Sequence, residues 1–322
     1  MNIAIIGCGM SGNIYASNIA SIGHKVVACA DTTLEKAKID IDWHNARASA
    51  DAMEVIRDDK VEIVVITSPL STRADYVLSA IDAGKHVFCE APLTQSGNEA
   101  ARIFDAAQSA SAKVFVAHTT RYDRPYQALA AQIESGAIGT PGFAKTYRDE
   151  ILGPGKDIIF DLLIHDFDWL ASILGPVETI FCQHLGEQNH PVSDYAMTTL
   201  TFSSGALAQC IGTSAQSLTQ PLGSPVGTLV FPRTVEIVGD AGLVQYDSAE
   251  TPIQVTRYEG QATDTSSPLD DFPHTFAWND FLNYVEHDTE PKSTLSSAVE
   301  AVRMAEAAHR SIETSTPQAL DR

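Results

Sequence analysis

Up to about residue 118, short apolar runs alternate with longer amphipathic stretches. The runs Ile3 to Ile6, Lys25 to Ala30, Glu62 to Thr67, Lys85 to Cys89 and Lys113 to Ala117 are apolar on both faces, which suits strands of a parallel sheet covered by helices. Between them, Asn13 to Ser21, Ser71 to Ala83 and Ser96 to Ser109 carry apolar residues at three- and four-residue intervals, the spacing of a helix with one buried face. This succession predicts a doubly wound βαβ domain.

After about residue 120 the rhythm changes. A helix is predicted from Pro125 to Ser135, followed by the turn Gly139-Thr140-Pro141-Gly142 and a strand from Phe143 to Arg148. Further strands are predicted at Thr179 to Gln183, Tyr195 to Phe202, Ala206 to Ile211, Thr234 to Val238 and Ile253 to Arg257; Gly or Ser turns between three of them favour antiparallel pairing. Segment 214–232, rich in Ser, Thr, Gly and Pro, reads as a long loop. Helices over Phe272 to Glu286 and Ser296 to Glu313 close the chain. The expected fold class is α/β. An amino-terminal Rossmann domain (1–120) with a doubly wound parallel sheet precedes an α+β domain (121–322) with an open, mostly antiparallel sheet, and the carboxyl-terminal helices are candidates to pack back on the first domain.

Charge narrows the function. The 322 residues carry a formal charge of -20, so nucleic acid and anionic membranes would be repelled. The excess is uneven: residues 1–118 hold 10 basic and 14 acidic side chains, the remainder 11 and 27. Cys8, Cys29, Cys89, Cys182 and Cys210 show no C-x-x-C spacing and read as reduced core residues of a cytoplasmic protein. The first residues, MNIAIIGCGMSG, carry no basic leader, and glycines interrupt the apolar run; neither a signal peptide nor a membrane span is expected.

Gly7-Cys8-Gly9-Met10-Ser11-Gly12 forms G-x-G-x-x-G between the first predicted strand and helix. The first glycine makes the turn, the second admits a pyrophosphate, and the third permits close helix packing. Unpaired N–H groups at the helix start let an acidic protein hold an anionic cofactor. Asp31, 19 residues beyond Gly12 at the end of the second strand, suits the adenosine ribose hydroxyls. Its carboxylate opposes a 2'-phosphate, and Thr32-Thr33-Leu34 offers no guanidinium, so NAD is preferred over NADP. Methyltransferase and flavin sites match less well.

With these residues placed, the chain resembles the glucose-fructose oxidoreductase / inositol dehydrogenase / rhizopine catabolism (Gfo/Idh/MocA) family over nearly its full length. The matching stretches run in order: Gly7 to Gly12 with Asp31, Ile66-Thr67-Ser68-Pro69, Ala83-Gly84-Lys85-His86-Val87, Glu90-Ala91-Pro92, Arg121-Tyr122-Asp123 and Asp161-Leu162-Leu163-Ile164-His165-Asp166. The resemblance implies a nicotinamide dinucleotide held by Gly7, Gly9, Met10, Ser11, Gly12, Asp31, Thr32, Thr67, Ser68, Pro69, Glu90, Ala91 and Arg121. It implies a sugar, cyclitol or other polyhydroxylated substrate, with His165 exchanging the substrate hydroxyl proton and Asp161 orienting substrate or imidazole. It also implies a homodimer or homotetramer built through the second-domain sheet.

Departures from the family pattern gather near the reacting end. Ala91 stands where the family usually has the lysine of Glu-Lys-Pro, and a methyl group cannot donate a hydrogen bond or stabilise a developing alkoxide. Leu70 and Arg73 stand where Asn and His are common, Thr119 where Asn is common, and Leu163 where a small residue is usual; Lys156 and Asp157 occupy a stretch that is often glycine-rich. A dinucleotide-responsive regulator without turnover is therefore a second reading, and an imine or conjugated substrate a third. Lys156 is a candidate replacement for the lysine, weighed against a solvated loop lysine. Arg73, Arg121 and Tyr147 are candidate cleft residues, with a structural role weighed equally for each.

Asp161 and His165, at i and i+4, share a face if Ile158 to Leu174 is helical, and an imidazole beside a carboxylate shuttles protons near neutral pH. A structural pair is the competing reading. Cys182, His184 and His190 lack an evident further ligand for zinc, so no metal is expected. Ser203-Ser204-Gly205 reads as a hairpin turn, and His86 and His118 as partly buried strand histidines.

Overall fold

The computed structural model describes every residue except 34, 36–45, 151, 153–155, 186–192, 216–231, 259–262, 266–272 and 321–322. Most of the predicted 214–232 loop, the final residues of the chain and His190 thus lie outside the described residues. The chain divides into two compact units, Met1–Tyr122 with Phe272–Val302, and Asp123–Asp271 with Arg303–Arg322.

In the first unit, strands β1 (Asn2–Ile6), β2 (Lys25–Ala30), β3 (Arg47–Ser49), β4 (Ile63–Ile66), β5 (His86–Glu90) and β6 (Val114–Ala117) form a six-stranded sheet in the order β3-β2-β1-β4-β5-β6. All five pairings are parallel. Every residue of β4 and of β6 is buried, as a sheet with both faces covered requires. Helices α1 (Met10–Ser21), α2 (Ala52–Ile56), α3 (Leu70–Asp82) and α4 (Gly97–Gln108) lie between the strands in the chain. The short strand β3 has no apolar run of its own and was not expected; it pairs through the backbone of Ala28 to Ala30.

A carboxyl-terminal element completes this core. Helix α7 (Pro273–His287) contributes Ala277, Trp278, Phe281 and Leu282 to a cluster with Ile3, Ile5, Tyr15, Ile19, Phe88 and Phe115. Phe88 lies at its centre, with ring centroids 4.8 Å from Tyr15, 5.2 Å from Trp278 and 5.4 Å from Phe281, mostly edge to face. Helix α8 (Leu295–Thr314) follows and runs from the first unit into the second.

The second unit opens with helix α5 (Arg124–Glu134), where a helix was predicted, and contains a nine-stranded sheet whose central strands, β7 (Pro141–Asp149), β10 (Leu207–Ala215), β9 (Ser193–Phe202) and β8 (Val177–Leu185), are adjacent in that order. On the other side of β7 lie β11 (Arg233–Gly239), β12 (Gly242–Asp247), β13 (Glu250–Arg257) and β14 (Thr263–Thr265), and β15 (Gln318–Ala319) closes the far edge beside β8. Pairing is antiparallel except between β7 and β10, which run parallel. The two β7-side strands not expected from sequence, β12 and β14, are short and polar on alternate positions, a weak signal by itself.

Alternation sets the two faces of this sheet apart. Ala144, Thr146, Arg148, Ala208, Cys210, Leu200 and Cys182 point to the buried face, whereas Phe143, Tyr195, Met197 and Leu207 are 37 to 44% exposed. Against the buried face packs the segment carrying Asp161 and His165. The expected single helix over Ile158 to Leu174 is resolved into a wide π-helical turn, Ile158–Leu163, followed by α6, Ile164–Leu174. Gly212 of β10 lets that turn approach: a Cβ there would lie 3.0 Å from Leu163 Cγ.

One ion pair anchors α6 to the sheet. Arg148 Nη2 donates to Asp166 Oδ1 at 2.7 Å, with side-chain exposures of 3% and 1%, and Thr146 Oγ1 donates to Asp166 Oδ2 at 3.2 Å. Asp166 raises the Arg148 pKa against the opposing effect of burial, so the guanidinium stays charged. Removing either partner leaves a buried charge uncompensated. Asp166→Ala is expected to destabilise the chain by about 3–5 kcal/mol, measured by urea denaturation; a loss near zero would show that the pair is not anchoring α6.

Candidate active site

The loop after β1 owes its shape to missing side chains. Gly7 has φ of 100°, and a Cβ there would sit 2.7 Å from the Ser68 backbone nitrogen; a Cβ on Gly12 would sit 2.1 Å from the Gly7 carbonyl oxygen. Both positions therefore exclude every other residue unless the backbone moves. Gly9 differs: nothing lies within 4 Å of where its Cβ would be. Its open side faces no protein atom, as a backbone approached by a ligand would require.

Thr67 fastens the loop from β4. Its Oγ1 donates to the Gly7 carbonyl at 2.6 Å, and its N–H donates to Ile6 O at 2.9 Å. Ser68 Oγ accepts from Thr72 Oγ1 at 3.1 Å, and Pro69 is the residue preceding α3. Helix α1 begins at Met10 with Gly9 at its N-cap and no side-chain cap, so its first N–H groups are presented to whatever binds there. Met10 is 81% exposed and Ser11 half-buried at that helix start.

Asp31 immediately follows β2 and turns toward this loop. Its Oδ2 accepts from Cys8 N–H at 2.8 Å, and its Oδ1 accepts from Thr32 N–H at 2.6 Å and Thr32 Oγ1 at 3.0 Å. Three donors fix the carboxylate while leaving lone-pair capacity for further hydroxyls. Cys8 and Cys29 pack together in a small cluster beneath it. All five cysteines are buried and none forms a disulfide, in accord with core residues.

Arg73 is where the structure departs from the candidate cleft role. It is 7% exposed, and its Nε donates to Ser68 O at 2.7 Å while Nη1 donates to Glu90 O at 3.0 Å and Pro92 O at 2.6 Å. One planar fork thus ties the ends of β4 and β5 together. Ala91, between two of those carbonyls, is 7% exposed. Burial, with Glu90 adding to it, raises the phenol pKa of Tyr15 on α1, so Tyr15 is a neutral neighbour of this loop. Arg121, on a 3-10 turn from Thr119 to Tyr122, donates through Nη1 to Lys292 O at 2.7 Å. Beside it Tyr122 Oη donates to Asp280 Oδ2 at 2.6 Å, which also takes the Lys292 N–H at 2.8 Å. His118 follows the end of β6, outside the strand in which it was expected, and is fully buried.

In the second unit, Asp157 starts the π turn: its Oδ1 accepts from Ile159 N–H at 2.9 Å and Phe160 N–H at 2.8 Å. Asp161 lies on that turn, and its Oδ2 accepts from Asp157 N–H at 2.7 Å. Asp161 Oδ1 accepts from Lys156 Nζ at 2.7 Å. Lys156 is 53% exposed and Asp161 11%, so the ammonium is held on the carboxylate with its other donors toward solvent. His165 sits half-buried in the first turn of α6, next to the anchored Asp166. Tyr147 Oη shares a hydrogen bond with Thr213 Oγ1 at 3.1 Å, and Thr213 Oγ1 donates to the buried Asp149 at 2.7 Å.

Two partners here left no trace in sequence. Lys156 was a candidate, but its pairing with Asp161 follows only from the tight turn between them. His309, on α8, reaches Asp157 Oδ1 through Nε2 at 3.1 Å across a separation of 152 residues, which no local pattern could signal. Elsewhere, His184 pairs with Asp194 at 2.5 Å. Among the described residues no group of three or more His, Cys, Asp or Glu could hold a metal ion, and no helix is long and apolar enough to cross a membrane. Ser203-Ser204-Gly205 joins β9 to β10, with Gly205 at φ 85°.

Comparison with known proteins agrees with this architecture. Residues 1–118 match the family model described as "Oxidoreductase family, NAD-binding Rossmann fold", and residues 130–320 match its C-terminal alpha/beta domain. The uncharacterized oxidoreductase YrbE of Bacillus subtilis is 26% identical over 98% of this chain and 96% of its own. Myo-inositol 2-dehydrogenase of Thermotoga maritima is 28% identical over 81% of this chain and 79% of its own. Levoglucosan dehydrogenase, solved with NADH and levoglucosan, superposes with a TM-score of 0.86 at 18% identity, covering 100% of this chain and 99% of that one, a likeness of fold. With both halves matched in order, the chain belongs to the Gfo/Idh/MocA family and is an NAD(P)-dependent oxidoreductase.

Proposed function

We propose that the protein oxidises or reduces a sugar, cyclitol or related polyhydroxylated compound with NAD as its cofactor, and that His165 exchanges the substrate hydroxyl proton. The observation that carries the reading is the open Gly9 backbone at an uncapped helix start, with Asp31 fixed by three donors beside it. Those groups fit a dinucleotide: α1 offers N–H groups to a pyrophosphate, and Asp31 offers acceptors to vicinal ribose hydroxyls while repelling a 2'-phosphate. The substrate class is supported by what the related T. maritima enzyme is named for.

When bound, nicotinamide supplies the site for hydride transfer. This chain's part is to position the substrate and to move a proton. His165 Nε2 or Nδ1 takes the hydroxyl proton in oxidation and returns it in reduction, which an imidazole does well near neutral pH. Asp161, tied by Lys156 and by the Asp157 N–H, presents carboxylate oxygens that orient substrate hydroxyls. Lys156 adds a cationic donor at the same place, in a chain that has Ala91 where relatives of this type carry a lysine. Copies of the chain are proposed to assemble through the exposed sheet face that carries Phe143, Tyr195, Met197 and Leu207.

Ala91 also favours a second reading, a dinucleotide-responsive regulator without turnover. The two part on simple measurements. His165→Ala is expected to lower kcat by about 100-fold or more on a sugar or polyol that the native protein turns over, with NADH affinity unchanged. Native NADH binding with no turnover across myo-inositol, scyllo-inositol, levoglucosan and hexose substrates would favour the regulator. Asp31→Ala is expected to weaken NAD binding by about 10- to 100-fold, the worth of hydrogen bonds to a charged group, and to narrow the preference over NADP; calorimetry showing equal NAD affinity would remove Asp31 from the ribose site.

A further inference from the structure

The turn that carries Asp161 and leads into His165 is held from one end by a residue far away in the chain. Asp157 Oδ1 accepts three hydrogen bonds: two from the Ile159 and Phe160 N–H groups of the π turn, and one from His309 Nε2 at 3.1 Å. The His309 ring also stacks on Phe160, with centroids 5.5 Å apart and an interplanar angle of 17°. A polar and an aromatic contact thus bind Asp157, at the cap of the turn, and Phe160, within it, to α8. The next link is direct, because Asp157 N–H donates to Asp161 Oδ2 at 2.7 Å.

We propose that His309 is a positioning residue: by gripping Asp157 and Phe160 it fixes the π turn, and so sets where Asp161 stands with respect to His165. The inference rests on the catalytic reading of Asp161 and His165 given above, but the grip itself is independent of it. A π turn is an expensive local geometry that persists where surrounding contacts determine it. Without a hold at its start, the turn can rewind toward an α-helix. Because the buried Arg148–Asp166 pair keeps the start of α6, and with it His165, against the sheet, the change falls on the turn and moves Asp161 with respect to His165.

Charge on His309 strengthens the grip. Its hydrogen bond to Asp157 raises the imidazole pKa, Glu313 on α8 adds to the effect, and partial burial opposes it. For Asp157, burial is outweighed by His309 and by the two backbone donors, so the carboxyl pKa is lowered. Facing Asp157 from β8 is Cys182, whose thiol burial pushes up to about 11, so it stays neutral. Lys156, next to Asp157 in the chain, is engaged with Asp161, and Arg310, next to His309, with Glu306. The His309 contribution is therefore fully present below the ordinary histidine pKa and falls away as pH rises through the raised one.

The test compares native protein with His309→Leu and His309→Gln by amide hydrogen exchange and by NMR titration of the His165 imidazole. His309→Leu is expected to speed exchange at Ile159, Phe160 and Asp161 by about tenfold or more, to shift the His165 midpoint, and to lower kcat more than it raises KM with myo-inositol as probe substrate. His309→Gln, which keeps a donor, is expected to restore most of each. Should His309→Leu fold poorly, the native protein alone serves: after correction for intrinsic exchange, protection of the same three amides falls as pH rises through the His309 midpoint. Unchanged exchange and an unchanged His165 midpoint in His309→Leu, or protection that ignores His309 titration, overturns the proposal. Loosened amides together with full turnover by His165→Ala would leave the grip standing and refute the catalytic reading instead.

Discussion

A single atom of space decides the amino-terminal half of this protein. The α-hydrogen of Gly12 lies where a methyl carbon would come within 2.1 Å of the Gly7 carbonyl oxygen. That oxygen cannot move aside, because it also accepts the Thr67 hydroxyl at 2.6 Å. Helix α1 is thereby drawn against the end of β1, its first N–H groups emerge beside Gly9, and the Cys8 N–H is aimed at Asp31. The shape of the loop and the approach of α1 to it depend on one close contact that no side chain could occupy.

The second unit solves a different problem with charge instead of close packing. Its functional segment must lie on a half-covered sheet, keep a non-α turn, and still project polar groups. The Arg148–Asp166 pair fixes the start of α6 from below, while Asp157 collects three donors at the start of the π turn. Neither device contributes much net stability by itself, since desolvation offsets most of the attraction in a buried pair. What they contribute is a defined placement, because every alternative leaves a buried charge or an N–H group without its partner.

Sequence spoke clearly wherever a signal is local. Strands such as Ile63–Ile66 are uniformly apolar, and G-x-G-x-x-G sits between strand and helix with Asp31 after the second strand, so β1, β2, β4, β5, β6 and the glycine loop were legible in the first unit, whereas the short β3, without an apolar run, was not. The mostly antiparallel sheet was legible from its Gly and Ser turns, but the parallel pairing of β7 with β10 was not, since it joins strands separated by the whole π turn, α6 and two further strands. Arg73 illustrates the same limit at side-chain scale: an arginine near a strand end suggests a ligand contact, whereas here three backbone carbonyls surround it. The π turn was hidden because apolar spacing at Ile158, Ile159, Leu162 and Leu163 is compatible with either helix type, and only the tertiary grip on Asp157 selects the wider one.

The charge of -20 raises the question of how such a chain accommodates an anionic cofactor. At physiological ionic strength, exposed charges more than about 8 Å apart are largely screened, so net charge by itself does not set the potential at the glycine loop. Local terms decide instead. The uncapped start of α1 carries partial positive charge on N–H groups that are already oriented, and these need no reorganisation to receive a phosphate. The Asp31 carboxylate accepts from the Cys8 N–H and from Thr32, which leaves its remaining lone pairs for a sugar hydroxyl. Tolerance of a cofactor's charge therefore rests on a few oriented backbone donors at the start of α1 and not on the net charge of the chain.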